Sequence, residues 1–186
     1  LKDDIFKIGS TVPRADALTK VTGQEKYATD YYGQNFVWAG VKRAGIPHAR
    51  LKDITIETAK RLPGVLSVLT YKDVPGSNRQ GIISKDQPVL VDTKIRHCGD
   101  AIALVLAEDK PTLNKALHLI HFDYEPLPAI SDPEKALEQA APLVHEDHPD
   151  GNLMQHISVR FGDVKKAFSE CATVIEGYFE VPLQEH

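Results

Sequence analysis

The stretch from Asp92 to Glu125 constrains the fold of this 186-residue chain more than any other. Within it, AIALVLA (Ala101 to Ala107) is an unbroken apolar run, the pattern of a strand covered on both faces. EDKPTLNKALHLI follows, with Leu113, Ala116, Leu117 and Ile120 at i, i+3, i+4 and i+7, so that they share one helical face. That face is expected to pack Leu113, Leu117 and Ile120 onto the apolar run. Asp109 stands where a cap belongs, and Pro111 suits a first turn, where no intrahelical amide bond is lost. IHFDYE then reads as a returning strand. Strand, helix and strand within about thirty residues predict a βαβ-like or split α+β unit, hence an α+β domain ending near Glu125.

The flanking segments fit around that unit. Residues 1–35 are irregular and turn-rich. FVWAGVKRA (Phe36 to Ala44) reads as a strand closed by the turn GIPHAR, and LKDITIET as a second, on its β-branched content. AKRLPG is a short helical turn ended by Pro63 and Gly64. VLSVLT is a further buried strand, and YKDVPGSNRQG a long polar loop. From Pro126 to Asn152 the chain is rich in proline and charge, with one short helix expected at the Ser131–Glu134 capping-box spacing. GDVKKAFSECA is an amphipathic helix capped by Asp163, with Val164, Ala167, Phe168 and Cys171 on one face. TVIEGYFEVPLQEH then reads as a strand, apolar on both faces and with no partner left in the sequence. Such a strand is an aggregation liability. It is expected to mark a cut, and to pair with a sheet edge of its own chain or with a second copy.

Bulk properties exclude several classes. A net charge of -4 with no basic stripe argues against a nucleic-acid surface, which needs clustered Lys and Arg. The longest apolar runs are too short to span a bilayer, and LKDDIFKIGS lacks the apolar core of a signal peptide, so a cytoplasmic protein is expected. The first residue, Leu1, is not a methionine, which suggests processing or excision. Two cysteines without a C-x-x-C, Cys98 and Cys171, form neither a disulfide framework nor a metal signature, and are expected to be reduced and buried.

Candidate chemistry is sparse. His118 and His121 are three apart, but the helix-to-strand junction between them spoils a shared metal. HEDHPD (His145 to Asp150) gathers two histidines and three acids, and reads as a solvated loop rather than a fixed site. Asp100, after Gly99, is placed to cap a backbone turn. GSNRQG lacks the spacing and the strand-to-helix context of a phosphate loop. Glu185 and His186 are adjacent on a strand, point to opposite faces and form no dyad.

The order of motifs adds a family. VPRADALTKVTGQEKYATD (Val12 to Asp30) resembles the entry segment of the molybdenum-cofactor-binding large subunit of the xanthine dehydrogenase/aldehyde oxidase family. PHARLKDITIETAKRLPGVLSVLTYKDVPG (Pro47 to Gly76) resembles the body of its a/b hammerhead domain. CGDAIALVLAEDKPTLNKALHLIHFDYEPLPAISDPEKAL continues that domain, with the glycine-acid turn and the YEPLPA exit. GDVKKAFSECATVIEGYFEVPLQEH is similar to the start of the molybdopterin-binding portion. Two positions depart from the pattern: His97-Cys98 replaces an aromatic and a valine, and Ala101 stands where many relatives have proline.

The resemblance implies an N-terminal extension at 1–17, a hammerhead domain at 18–126, a linker at 127–152 and the first helix and strand of a molybdopterin-binding domain at 153–186. It implies a parent enzyme that hydroxylates a carbon next to nitrogen or oxygen with water as the oxygen source. A molybdenum pyranopterin would carry that chemistry, and partner domains or subunits would hold iron–sulfur clusters and flavin. The family's glycine-rich cofactor loop and catalytic glutamate lie downstream of this stretch. No catalytic, cofactor-binding or metal residue therefore transfers to a position here, and no cofactor is expected in this fragment. The implied role is structural and assembly-related within a molybdenum hydroxylase, with the rest of the large subunit as partner and a homodimer through the C-terminal strand as a further expectation. The competing reading is a stand-alone, non-catalytic binding or assembly module with the same fold.

Overall fold

The computed structural model describes residues 8–9, 13–33, 35–82 and 84–184. The chain opens with α1 (Ala17–Val21), β1 (Trp38–Arg43), β2 (Ala49–Thr55), α2 (Glu57–Lys60) and β3 (Val65–Leu69). Short strands β4 (Arg79–Gln80), β5 (Gln87–Pro88) and β6 (Lys94–Ile95) follow, then β7 (Ala101–Ala107), α3 (Lys110–Leu119) and β8 (His121–Pro126). Two helices, α4 (Pro133–Ala136) and α5 (Val164–Glu170), lie beyond.

The strands sort into sheets β1-β7-β3, β6-β2-β8 and the small pair β4-β5. Every pairing is antiparallel. The α+β class expected from the sequence is therefore present, but the βαβ-like unit is not. β7 and β8 belong to different sheets, so α3 carries the chain from one sheet to the other. The reason is long-range: β8 is captured by β2, from Ala49 opposite Pro126 to Thr55 opposite His121.

β7 joins two cores by its alternation. Ala103, Val105 and Ala107 face one way, into a cluster with Val68 of β3 and Leu113, Ala116 and Ile120 of α3 or its cap. Ile102 faces the other way, against Ala49, Leu51, Val91 and Ile95. The run is covered on both faces, as its composition predicts. Asp109 caps α3 as expected, its Oδ1 accepting from Thr112 N at 2.7 Å. At the other end, Lys42 Nζ donates to Leu117 O at 3.1 Å, placing a cation at the carbonyl end of the helix.

Gly40 of β1 sits under this helix. A Cβ there would lie 3.0 Å from Leu113 Cδ2. Gly40→Val is expected to overpack the interface and cost about 1–3 kcal/mol in urea unfolding. A variant as stable as the wild type would mean that α3 does not press on β1.

Two local expectations change. α4 is capped by Asp132, not Ser131: Asp132 Oδ1 accepts from Glu134 N at 2.9 Å, because Asp132 directly precedes Pro133 at the first helical position. The tail also differs. α5 forms where predicted, with Asp163 Oδ1 accepting from Lys166 N at 3.0 Å. Residues 173–184, however, form no strand, and every residue from 154 to 184 is exposed. The expected addition to an edge of this chain's own sheets does not occur among the described residues. A segment apolar on both faces needs cover on both, and a lone sheet edge supplies only backbone partners. No helix among the described residues is long and apolar enough to cross a membrane.

Candidate functional site

A polar cluster lies at the turn between β6 and β7. Asp100 is buried there, and its Oδ2 accepts from Arg96 N at 2.6 Å and His97 N at 3.2 Å. The carboxylate caps the turn, as the sequence predicts. His97 Nε2 lies 3.0 Å from Asp100 Oδ1, and its Nδ1 accepts from Gly99 N at 3.0 Å. The adjacent thiol of Cys98 completes what looks like a Cys-His-Asp set. Nucleophilic catalysis needs an imidazole nitrogen free to take the thiol proton. Here one nitrogen is filled by a backbone amide and the other donates to Asp100, so the cluster builds a turn.

Both cysteines are exposed rather than buried. Cys98 sits at the tip of this turn, where Asp100 turns the backbone inward and leaves the thiol outside. Cys171 ends α5, whose apolar face has no cover: Val164 and Phe168 remain 61% and 59% exposed. His118 and His121 are both exposed and hold nothing in common. No group of three or more His, Cys, Asp or Glu suited to a metal ion occurs among the described residues. Glu185 and His186 lie outside the described residues.

The GSNRQG motif proves structural. Asn78 Nδ2 donates to Leu90 O at 2.7 Å and its Oδ1 accepts from Leu90 N at 3.0 Å, closing the long loop like a rung of sheet. Arg79 Nη2 lies 2.7 Å from Asp92 Oδ2. Burial raises the Asp92 pKa, but the hydrogen bond and charge of Arg79 outweigh it and hold the carboxyl below its ordinary value.

HEDHPD is largely solvated, as its composition suggests, with Glu146, Asp147, Pro149 and Asp150 exposed, but it is also tied to the domain. Glu146 Oε1 accepts from Lys94 Nζ at 2.7 Å, and the same ammonium donates to Leu143 O at 2.7 Å. Arg96 Nε donates to Val144 O at 3.0 Å. Sequence reasoning missed Lys94 and Arg96. The available signal was their spacing: both alternate with the fully buried Ile95, so they share the face opposite the core. A cleft of about 330 Å³ lies between the domain and the residues flanking this segment, lined by Pro47, His48, Arg96, His97, Pro128 and Val144 among others.

None of these clusters assembles a nucleophile with a free base, a metal cage or a phosphate cradle. What the domain offers instead is a scaffold with a long apolar segment leaving it. Phe161, Tyr178 and Phe179 in that segment are 95%, 90% and 89% exposed.

The sequence pattern described as "Aldehyde oxidase and xanthine dehydrogenase, a/b hammerhead domain" matches residues 22–128, more than half of the chain. The chain belongs to the aldehyde oxidase and xanthine dehydrogenase family. Similarity to this family runs beyond the hammerhead domain. The nicotinate dehydrogenase large molybdopterin subunit of Eubacterium barkeri is 40% identical over 183 residues, covering 98% of this chain and 42% of that protein. The xanthine dehydrogenase molybdenum-binding subunit of Escherichia coli O157:H7 is 33% identical, covering 93% of this chain and 24% of that protein. Among solved structures, the aldehyde oxidoreductase of Desulfovibrio gigas superposes with a TM-score of 0.69 at 33% identity, over 76% of this chain and 17% of that one. The chain thus spans less than half the length of these members of the aldehyde oxidase and xanthine dehydrogenase family. The order of motifs read from the sequence matches this family assignment, and the hammerhead fold with it.

Proposed function

We propose that this chain is the N-terminal section of the large, molybdenum-binding subunit of a cytoplasmic molybdenum hydroxylase, with a structural and assembly role and no catalytic residue of its own. In this reading residues 18–126 are the hammerhead domain, 127–152 a connecting segment, and 153–186 the start of the molybdopterin-binding domain. The observation that carries it is the exposed apolar segment 154–184, which continues the family similarity past the hammerhead domain yet packs on nothing among the described residues. Exposed apolar surface of this extent marks an interface. Its partner is the rest of the large subunit, since the relatives extend well beyond the similar stretch.

The residues present do not fit the family's redox groups. Two cysteines, both exposed and on separate elements, cannot supply the thiolate set of an iron–sulfur cluster. The positive-φ glycines stand singly at turns, such as Gly45, Gly64 and Gly151, and build no cradle of adjacent amides for a pterin phosphate. Hydroxylation, the electron acceptors and the iron–sulfur and flavin partners belong to the complete enzyme in this reading.

Metal analysis of the purified chain tests the proposal. Molybdenum and iron are both expected far below one equivalent per chain, and either metal at stoichiometric level would sink it. Sedimentation across a wide concentration range addresses the tail. Concentration-dependent dimerisation that is abolished by removing residues 173–186 would favour a second copy as its partner instead.

A further inference from the structure

Lys94 is one of three polar or charged residues buried among those described, with Thr70 and Asp100. A buried ammonium is costly unless it is paired and hydrogen-bonded. Both partners of Lys94, Leu143 O and Glu146 Oε1, come from a segment that lies about fifty positions later in the chain. Arg96, on the same face, adds its bond to Val144 O and donates to Lys94 O at 3.2 Å. Asn152 then clasps the segment on itself: its Oδ1 accepts from Val144 N at 2.9 Å, and its Nδ2 donates to Ala136 O at 2.9 Å and Pro142 O at 3.0 Å. At the near end, Leu127 N donates to His48 O at 3.0 Å and His48 Nδ1 to Pro128 O at 2.6 Å.

We propose that residues 127–152 form a strap, latched onto the domain by the Lys94–Glu146 pair and released by acid, whose closed state sets where the apolar segment 153–184 leaves the domain. The strap lies almost wholly outside the stretch that matches the hammerhead pattern. Its latch is nevertheless built from that stretch.

The latch is one-sided. The Lys94 side chain is 9% exposed and that of Glu146 60%. Closing the strap removes the ammonium from water, so the carboxylate must be charged for the closed state to hold. Beside it, His145 is half-buried, with its Nε2 3.9 Å from Asp86 Oδ2. Arg96 and Lys94 face it from the domain and Asp147 from the strap. Arg79, Lys85 and His148 line a separate cleft together with His145 and Asp86.

Two ionisations act in one direction. Burial, then the charge of Arg96, lowers the His145 pKa from its ordinary 6.5. The hydrogen bond from Lys94 holds the Glu146 carboxyl below its ordinary 4.5, with burial opposing. Each group has a lower pKa in the closed strap than in the released one. Each therefore stabilises the closed state fully above its ordinary pKa, and loses that contribution as pH falls through the closed-state value. Release begins as pH drops below 6.5, where a freed His145 takes up a proton, and is completed below 4.5 by protonation of Glu146. The ladders of β1, β3 and β7 include no strap residue, so opening is local rather than global.

Hydrogen exchange of the full chain, followed by mass spectrometry and corrected for intrinsic rates, tests this. At about pH 7.5, Glu146→Gln and Asn152→Ala are each expected to speed exchange across 137–152 by about tenfold or more while leaving 101–107 unchanged. In the wild type the same peptides should lose protection between about pH 7.5 and 4, and Glu146→Gln should show a smaller further change below about pH 5. Strap protection retained in both variants would overturn the latch. Wild-type protection that is the same at both ends of the pH range would overturn its release by acid.

Discussion

Leu113→Ala is expected to lower the unfolding free energy of the chain by about 2–5 kcal/mol. Leu113 is 6% exposed, in the core shared by α3, β3 and β7, and its δ-carbons press against Gly40 of β1. Truncation removes those contacts, and the glycine beneath has no side chain to move into the space. The cavity therefore persists, which puts the cost towards the upper part of the range. Leu117, one turn further on, is only partly buried at the rim of the same cluster. Leu117→Ala is expected to cost about half as much or less, because part of its surface already meets water. Urea unfolding with a common m-value measures both. A loss below about 0.5 kcal/mol for Leu113→Ala would mean that α3 is not seated on the sheet.

Asp100→Ala is expected to cost about 2–4 kcal/mol, through a different mechanism. The buried carboxylate accepts two backbone amides and lies against the His97 ring. Removing it leaves the amides of Arg96 and His97 without an acceptor where water has little access, and frees the ring from its position. Asp100→Asn keeps one side-chain oxygen for the amides and should recover more than half of the loss. The readout is again denaturant unfolding, joined by amide exchange at Arg96 and His97. Equal stability of the alanine variant and the wild type would show that the turn holds itself. This turn also carries Arg96 to the strap, so Asp100→Ala should loosen residues 143–146 as a secondary effect.

Each of these effects has a part that could be read from residue order and a part that could not. The helix at Lys110–Leu119, its Asp109 cap and the both-sides-buried character of Ala101–Ala107 follow from spacing, because the interactions that make them span a few residues. The Asp100 cap is legible for the same reason: the amides that donate to it lie three and four positions back. The family is legible from motif order, and the hammerhead fold with it. Capping at α4 shows the limit even of local reading, since Ser131 and Asp132 compete for one role and the neighbouring proline selects the second.

The remaining features were decided by contacts between distant parts of the chain. Whether β8 joins the sheet of β7 or that of β2 depends on which edge captures it, and no periodicity records that choice. Lys94 looks like an ordinary surface lysine in TKIRH; it is buried, and its ammonium is bonded by a segment about fifty residues later. HEDHPD, solvated as it reads, shows no sign of its tie to the domain for the same reason, its partner Lys94 being equally remote. His97, Cys98 and Asp100 form a suggestive set in sequence, and only the direction of two hydrogen bonds removes the free nitrogen that catalysis would need. The last segment carries the sharpest division. Its sequence specifies apolar character on both faces and so a need for cover on both. A strand, however, becomes one only by pairing, and the tertiary structure of the described residues supplies neither the pairing edge nor the covering layer.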